Sequence, residues 1–161
     1  MQGTDLSAGL SGVAAAVTLV TVRDGRDDIG ATVSAFCPVS MDPPLVLVSI
    51  MGESYLAEVL GRCDGFAVTV LGSGQRALAG RFAAAGRPSA RLLLASVPHR
   101  RGGESGALIP DGGLAALECR ARQRLTAGDH LLVIAEVTGV PYVTDSARPL
   151  IRFRGRYPAL A

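Results

Sequence analysis

Two long strand-like segments, Leu114–Leu125 and Leu131–Val143, are separated by only five residues, Thr126-Ala127-Gly128-Asp129-His130. A link that short is a turn and leaves no room for a crossover helix, so the two segments must pair antiparallel. The rest of the chain repeats the theme at shorter length. Val13–Val22 (VAAAVTLVTV) is rich in β-branched residues, Arg23–Ile29 is a polar Gly-containing turn, and Gly30–Phe36 reads as a second strand, which makes a hairpin. Leu45–Met51, Phe66–Leu71, Arg91–Val97 and Pro149–Phe153 read as further strands. Pro38–Pro44 is expected to be irregular, because adjacent prolines break both helix and central strand.

Helical signals are few. Ser54 can cap a helix to about Arg62, with Leu56, Val59 and Leu60 on one face. Ser73 starts another to about Ala85, with Leu78 and Phe82 four apart. Residues 1–12 are small and polar and form a loose N-terminal segment, with Ser7 as a cap for a short helix. His99–Gly113 carries glycines and both charge signs and reads as a mobile loop. Strands dominate and no internal repeat is present. The expected fold is mainly β: one antiparallel barrel with one or two covering helices, filling residues 1–161 as a single domain.

Composition narrows the function classes. Hydrophobic residues are 48% and charged residues 19%, enough for a packed core. The net charge is +2 and every basic residue is Arg. Arg120, Arg122 and Arg124, and again Arg152, Arg154 and Arg156, alternate in sequence, which on a strand places three Arg on one face. Such a face reads as solvated, with attraction of phosphate as the alternative. Aromatic residues are 4% with no Trp, so nucleic acid has no stacking platform. Three cysteines without a CxxC pair argue against a disulfide framework or zinc site and for a reducing, cytoplasmic compartment. The apolar run Val13–Val22 has no preceding basic residue and is too short to span a membrane.

Gly72-Ser73-Gly74-Gln75-Arg76-Ala77 matches G-x-G-x-x-A, the dinucleotide fingerprint. The acidic residue expected about 20 positions on is absent, since that stretch reads Leu92-Leu93-Leu94-Ala95, and the chain lacks alternating strands and helices. The only histidines are His99 and His130, and neither G-x-S-x-G nor H-E-x-x-H occurs. Redox chemistry would therefore need a cofactor, because no ordinary side chain carries hydride. Between Gly30 and Ser54, the hydroxyls of Thr32, Ser34, Ser40, Ser49 and Ser54 and several small residues can bind a phosphate without Lys, or serve as ordinary strand and turn residues.

Five segments in order carry a resemblance. The first runs from a strand ending V-T through Gly30-Ala31-Thr32-Val33-Ser34-Ala35-Phe36 to Ser40, Pro43 and Pro44. Then come Phe66–Phe82, Leu117-Glu118-Cys119, Gly128-Asp129-His130, and Pro149-Leu150 with Gly155-Arg156-Tyr157. Over roughly residues 13–158 the chain resembles flavin reductases of the FMN-binding split-barrel family, Greek-key antiparallel barrels.

The resemblance implies an NAD(P)H:flavin oxidoreductase that uses FMN or FAD with NADH or NADPH. It implies a homodimer that supplies reduced flavin to a partner monooxygenase. On this chain, Thr32, Val33, Ser34 and Ala35 would line the isoalloxazine and ribityl chain. Ser49, Ile50 and Ser54 would continue toward the phosphate, and Phe82 and Ala83 would close the pocket. His130 would sit near the nicotinamide, and Tyr157 and Arg152 would contact the dinucleotide. The resemblance implies no metal. Two departures stand out: acidic Glu53 beside the phosphate position, for which Arg81 or Arg87 would compensate, and the Gly- and Arg-rich loop Pro98–Pro110, read as a floppy insertion. Alternatives are a flavin carrier of the same fold without turnover, and an oxidase related to the pyridoxamine-phosphate oxidases.

Overall fold

The computed structural model describes the backbone of residues 3–160 and the side chains of residues 6–160. In chain order the elements are α1 (Gly3–Ser11), β1 (Ala15–Ala16), β2 (Thr18–Asp24), β3 (Asp27–Val33), β4 (Phe36–Met41), β5 (Pro44–Met51), α2 (Tyr55–Arg62) and β6 (Gly65–Val70). A 3-10 turn (Ser73–Gln75) leads into α3 (Arg76–Ala83), followed by α4 (Ala90–Leu93), β7 (His99–Arg101), β8 (Leu108–Pro110), β9 (Ala115–Ala127), β10 (His130–Val143) and β11 (Ile151–Arg152).

Seven strands form one antiparallel sheet in the order β3-β2-β6-β9-β10-β5-β4. The two edge strands, β3 and β4, are consecutive in the chain and separated only by Ser34 and Ala35. Laid flat, six steps of about 4.8 Å would hold those edges about 29 Å apart. Three residue steps reach about 11 Å at most. The sheet must therefore curl until its edges meet, and Ser34-Ala35 is the clasp across the seam. The Ser49 amide donates to the Ala35 carbonyl at 2.9 Å and ties this clasp to β5. The result is a barrel split along one side.

The barrel interior holds one core, in which Val20, Val48, Phe66, Val68 and Val133 meet Leu56, Val59 and Leu60 of α2. Ser54 caps α2, accepting from the Ala57 amide at 3.1 Å, and the three apolar residues expected on the inner face are all buried. A second core outside the barrel joins Leu19 and Leu71 to Leu78, Ala79 and Phe82 of α3 and to Leu94. Layers on both sides explain why β2 and β6 are buried almost continuously.

The long hairpin β9–β10 is as expected, with a register shift between Ile134 and Ala135. Ile134 pairs with Gln123 and Ala135 with Ala121, so Arg122 bulges. This corrects the reading of three Arg on one face. Arg122 contacts Glu136, the partner of Arg120, whereas Arg124 pairs with buried Val133 on the opposite face. There Arg124 donates to the Leu60 carbonyl at 2.7 Å and to Asp64 at 2.6 Å, closing the C-terminal end of α2. Arg152, Arg154 and Arg156 do not form a three-Arg strand face either, although Arg152 and Arg154 line one cavity. β11 ends at Arg152, and a tight turn follows in which Arg154 and Gly155 have φ of 48° and 71°.

Four further expectations are corrected. Pro38 lies within β4, which is an edge strand with a register shift between Pro38 and Ser40, where a missing N–H is tolerated. The segment Arg91–Val97 is no strand, because Ser89 caps the short helix α4 and its Ala, Arg and Leu residues favour helix over strand. The stretch His99–Gly113 is an ordered hairpin, β7 against β8, with Leu108 and Ile109 buried. Arg101 of that hairpin reaches buried Asp28, and one Glu118 oxygen accepts from the Glu104 amide, the Ser105 amide and the Ser105 hydroxyl. Residues 3–11 form a helix that begins ahead of Ser7, so Ser7 is interior to it and not its cap.

Candidate functional site

The seam of the barrel gathers most of the residues singled out in the sequence. Ser34 and Ala35 lie in it, and Ser49 faces the same side, half-buried. The Ser34 and Ala35 amides have no acceptor among the described residues, and the Ser34 and Ser49 hydroxyls have no partner there. A row of open donors beside apolar walls suits a flat ring with polar edges. Thr32 points its hydroxyl to the Ala79 carbonyl at 2.6 Å, which fastens α3 to β3 and leaves only its lone pairs for a ligand.

Gly30 sits lower on the same strand, in a cavity of about 360 Å³ lined by Ser54, Tyr55, Arg87 and Ser89. Arg87 donates from Nε to the Gly30 carbonyl at 2.7 Å. Its Nη1 also donates to the Ala84 carbonyl at 3.3 Å, its side chain lines the cavity together with Ser54, and burial lowers its pKa. Arg81 is exposed and does not line this cavity. Between the two Arg compensators considered for Glu53, the fold brings Arg87 to the site.

On the other side of Ser54, a cavity of about 740 Å³ holds His130 together with Met51, Glu53, Glu58 and Asp129. His130 opens β10 and is paired with Met51 across the ladder. Its Nδ1 lies 2.6 Å from Asp129 Oδ1. A carboxylate can only accept, so Nδ1 carries the proton and Nε2 is left toward the cavity. The hydrogen bond from His130, and its charge, hold the Asp129 carboxyl below its ordinary value.

Not every expected residue joins the site. Phe82 is fully buried in the second core, so it cannot cover a ligand; it packs beneath Gly30 instead. Val33 and Ile50 point into the barrel core and offer a ligand their backbone alone. Ala83 is exposed at the end of α3. Tyr157 is in a separate crevice with Arg148, stacked with Arg76 at 5.5 Å, away from His130. Arg152 lines a further cavity of about 580 Å³ beneath α1, shared with Ser34 and Ala35. The fingerprint-like Gly72–Ala77 is a turn in which Gln75 accepts from the Gly72 amide and donates to the Asp111 carbonyl.

The family described as flavin reductase like domain matches residues 10–161. This chain belongs to that family. Among relatives, an NADH-dependent FMN reductase from Streptomyces nodosus subsp. asukaensis is 37% identical over 148 residues, covering 89% of this chain and 77% of the relative. The reductase component of a 4-hydroxyphenylacetate 3-monooxygenase from Thermus thermophilus is 33% identical over 151 residues, covering 94% and 92%. A solved NADH:FAD oxidoreductase from Streptomyces globisporus, in complex with NAD and FAD fragments, superposes with a TM-score of 0.90 at 30% identity, covering 98% of this chain and 92% of that one.

The flavin reductase fold explains which residues sequence reading could weigh. Hydroxyls in the Gly30–Ser54 stretch announce themselves by type. Ser89 does not, since its contribution depends on α4, which the sequence pattern presented as a strand. Its hydroxyl donates to the Asp28 carbonyl at 3.1 Å and so anchors the Gly86–Ser89 loop that carries Arg87.

Proposed function

We propose that this flavin reductase moves hydride from NADH to free FMN or FAD and releases reduced flavin to a separate monooxygenase. The observation that carries this reading is the linear arrangement along the seam. Open amides at Ser34 and Ala35 stand at one end, the Arg87–Ser54 cavity at the other, and the His130 cavity shares Ser54 with the latter. Bound flavin supplies the ring that accepts hydride. The chain supplies position. Ser34, Ala35 and Ser49 satisfy polar ring edges, the half-buried Thr32 keeps α3 at the wall, and Arg87 with the capped start of α2 takes a phosphate monoester. His130, held by Asp129 through Nδ1, presents Nε2 to the carboxamide of the nicotinamide. Holding the reacting atoms together accounts for most of the acceleration in such a transfer.

The protein works as a homodimer in the cytoplasm. Exposed Val39, Met41, Met51 and Leu125 on β4, β5 and β9 support self-association, and three free cysteines support a reducing compartment. No helix among the described residues is long and apolar enough to cross a membrane. The test is NADH oxidation in air with added FMN or FAD. Flavin-dependent loss of NADH is expected; tight flavin retention without any NADH oxidation would replace this reading with a carrier.

A further inference from the structure

We infer that Asp27 weakens the hold on the flavin phosphate and so keeps the flavin an exchangeable substrate. The inference deepens the reading above and rests on it, since it takes the Arg87–Ser54 cavity as the phosphate site. Among the described residues that line this cavity only two are charged, Arg87 and Asp27. Glu53, the acidic neighbour that the sequence suggests for this place, lines the His130 cavity instead. The carboxylate at the phosphate position comes from the β2–β3 hairpin.

That hairpin carries Asp24, Asp27 and Asp28, and arginines neutralise two of them. Asp24 pairs with Arg62 at 2.6 Å, and buried Asp28 pairs with Arg91 and Arg101, each at 2.9 Å. Asp27 is exposed and makes no ion pair among the described residues, although it shares a cavity with Arg87. Its Oδ1 accepts from the Asp28 amide at 2.8 Å, a bond that a neutral asparagine oxygen would also make. Asp24 and Asp27 are directly opposed in the β2–β3 ladder, and like charges so placed weaken a hairpin. The turn therefore has no use for the charge on Asp27; its effect falls on the cavity.

Arg87 is fixed in place, because Nε donates to the Gly30 carbonyl at 2.7 Å and Nη1 to the Ala84 carbonyl at 3.3 Å. One anchored cation and one carboxylate leave the cavity close to neutral. A phosphate monoester carries a charge of about −1.5 to −2 at pH 7. Attraction to Arg87 and repulsion from Asp27 act on it together and largely offset each other. In the reading above the reduced flavin must leave for another enzyme. A carboxylate in the phosphate cavity speeds that departure without touching the ring contacts at Ser34, Ala35 and Ser49.

The experiment measures the affinity for FMN and for riboflavin by flavin fluorescence, without NADH, in the wild type, Asp27→Asn and Arg87→Ala. Asp27→Asn should tighten FMN about fivefold and leave riboflavin, which has no phosphate, unmoved. Release of FMN in a rapid-mixing experiment should slow by a similar factor. Added salt should change wild-type FMN affinity little, since attraction and repulsion are screened together, and should weaken FMN clearly in Asp27→Asn, where the cation stands alone. A gain in affinity cannot come from a damaged fold, and the melting temperature should hold or rise as the opposed pair is relieved. Unmoved FMN affinity in Asp27→Asn overturns the inference. So does weaker FMN, which would make Asp27 an acceptor for a ligand hydroxyl, and so does equal tightening of FMN and riboflavin, which would trace the effect to loop shape. Equal losses of FMN and riboflavin in Arg87→Ala overturn the underlying placement of the phosphate, and the inference with it.

Discussion

A Cβ placed on Gly30 would lie 2.7 Å from Cε1 of Phe82. The glycine is fixed by this approach, because Phe82 is wholly buried and its ring has nowhere to retreat. Gly30→Ala should destabilise the fold by about 1–3 kcal/mol through overpacking. It should also weaken flavin binding, since the Gly30 carbonyl holds Arg87. Chemical denaturation reads the first effect and FMN titration the second. Adding Phe82→Leu should recover part of the stability, and a double-mutant cycle gives the coupling.

The Arg87–Ser54 cavity makes a prediction that depends on the phosphate alone. Arg87→Ala should raise the KM for FMN about tenfold and leave that for riboflavin, which has no phosphate, nearly unchanged. Ser54→Ala removes the cap of α2, costs about 1 kcal/mol of stability and moves FMN in the same direction. Equal effects on FMN and riboflavin would place the phosphate elsewhere.

These two sites also show what the sequence makes legible. Strand segments such as Thr18–Asp24 and Pro44–Met51 are readable because buried strands are continuous apolar runs bounded by turn residues, and α2 is readable because Ser54 and the spacing of Leu56, Val59 and Leu60 agree. The Gly30–Ser54 hydroxyls are readable by residue type. Phe82 is misplaced because its identity fits a ligand wall and a core equally well; only the packing of α3 on Gly30 decides between them. The bulge at Arg122 and the turn at Arg154 leave no mark in residue type either. Alternation assumes an unbroken ladder, and a single extra residue moves Arg124 to the other face. The hairpin Arg101–Leu108 looks floppy in sequence because its anchors, Asp28 and Glu118, lie far away along the chain.

Asp28 is the first of those anchors. Burial acts to raise its carboxyl, but hydrogen bonds and charge from Arg101 and Arg91 outweigh it, so it is held below the ordinary 3.8. A depressed folded value means stability that is fully present above the unfolded value and is lost as pH falls through the folded one. The loss should therefore begin near pH 4 and deepen below it. Asp28→Asn should cost about 2–3 kcal/mol at neutral pH, discounted from a wholly buried pair because both arginines are substantially solvent-exposed. The variant's acid limb should be flatter. Thermal melts from pH 3 to 7 for both proteins check the sign and the window.

The Asp129–His130 contact leads to a split between two substitutions at one position. Asp129→Asn keeps a neutral oxygen that can still accept from Nδ1, so the imidazole retains its orientation and Nε2 stays toward the cavity. Asp129→Ala removes the acceptor and frees the ring to rotate, on a surface turn where nothing else among the described residues bonds it. The Asn variant should keep kcat/KM for NADH within about threefold of the wild type, while the Ala variant should lose about tenfold, as expected for a positioned hydrogen bond to a charged group. The KM for flavin should not move in either, because the Ser34, Ser49 and Arg87 contacts are untouched. His130→Ala should match or exceed the Ala variant's loss, and combining the two should add little, since both remove the same placed nitrogen. Additive losses in the double variant would mean that Asp129 contacts the dinucleotide itself and does not act through His130.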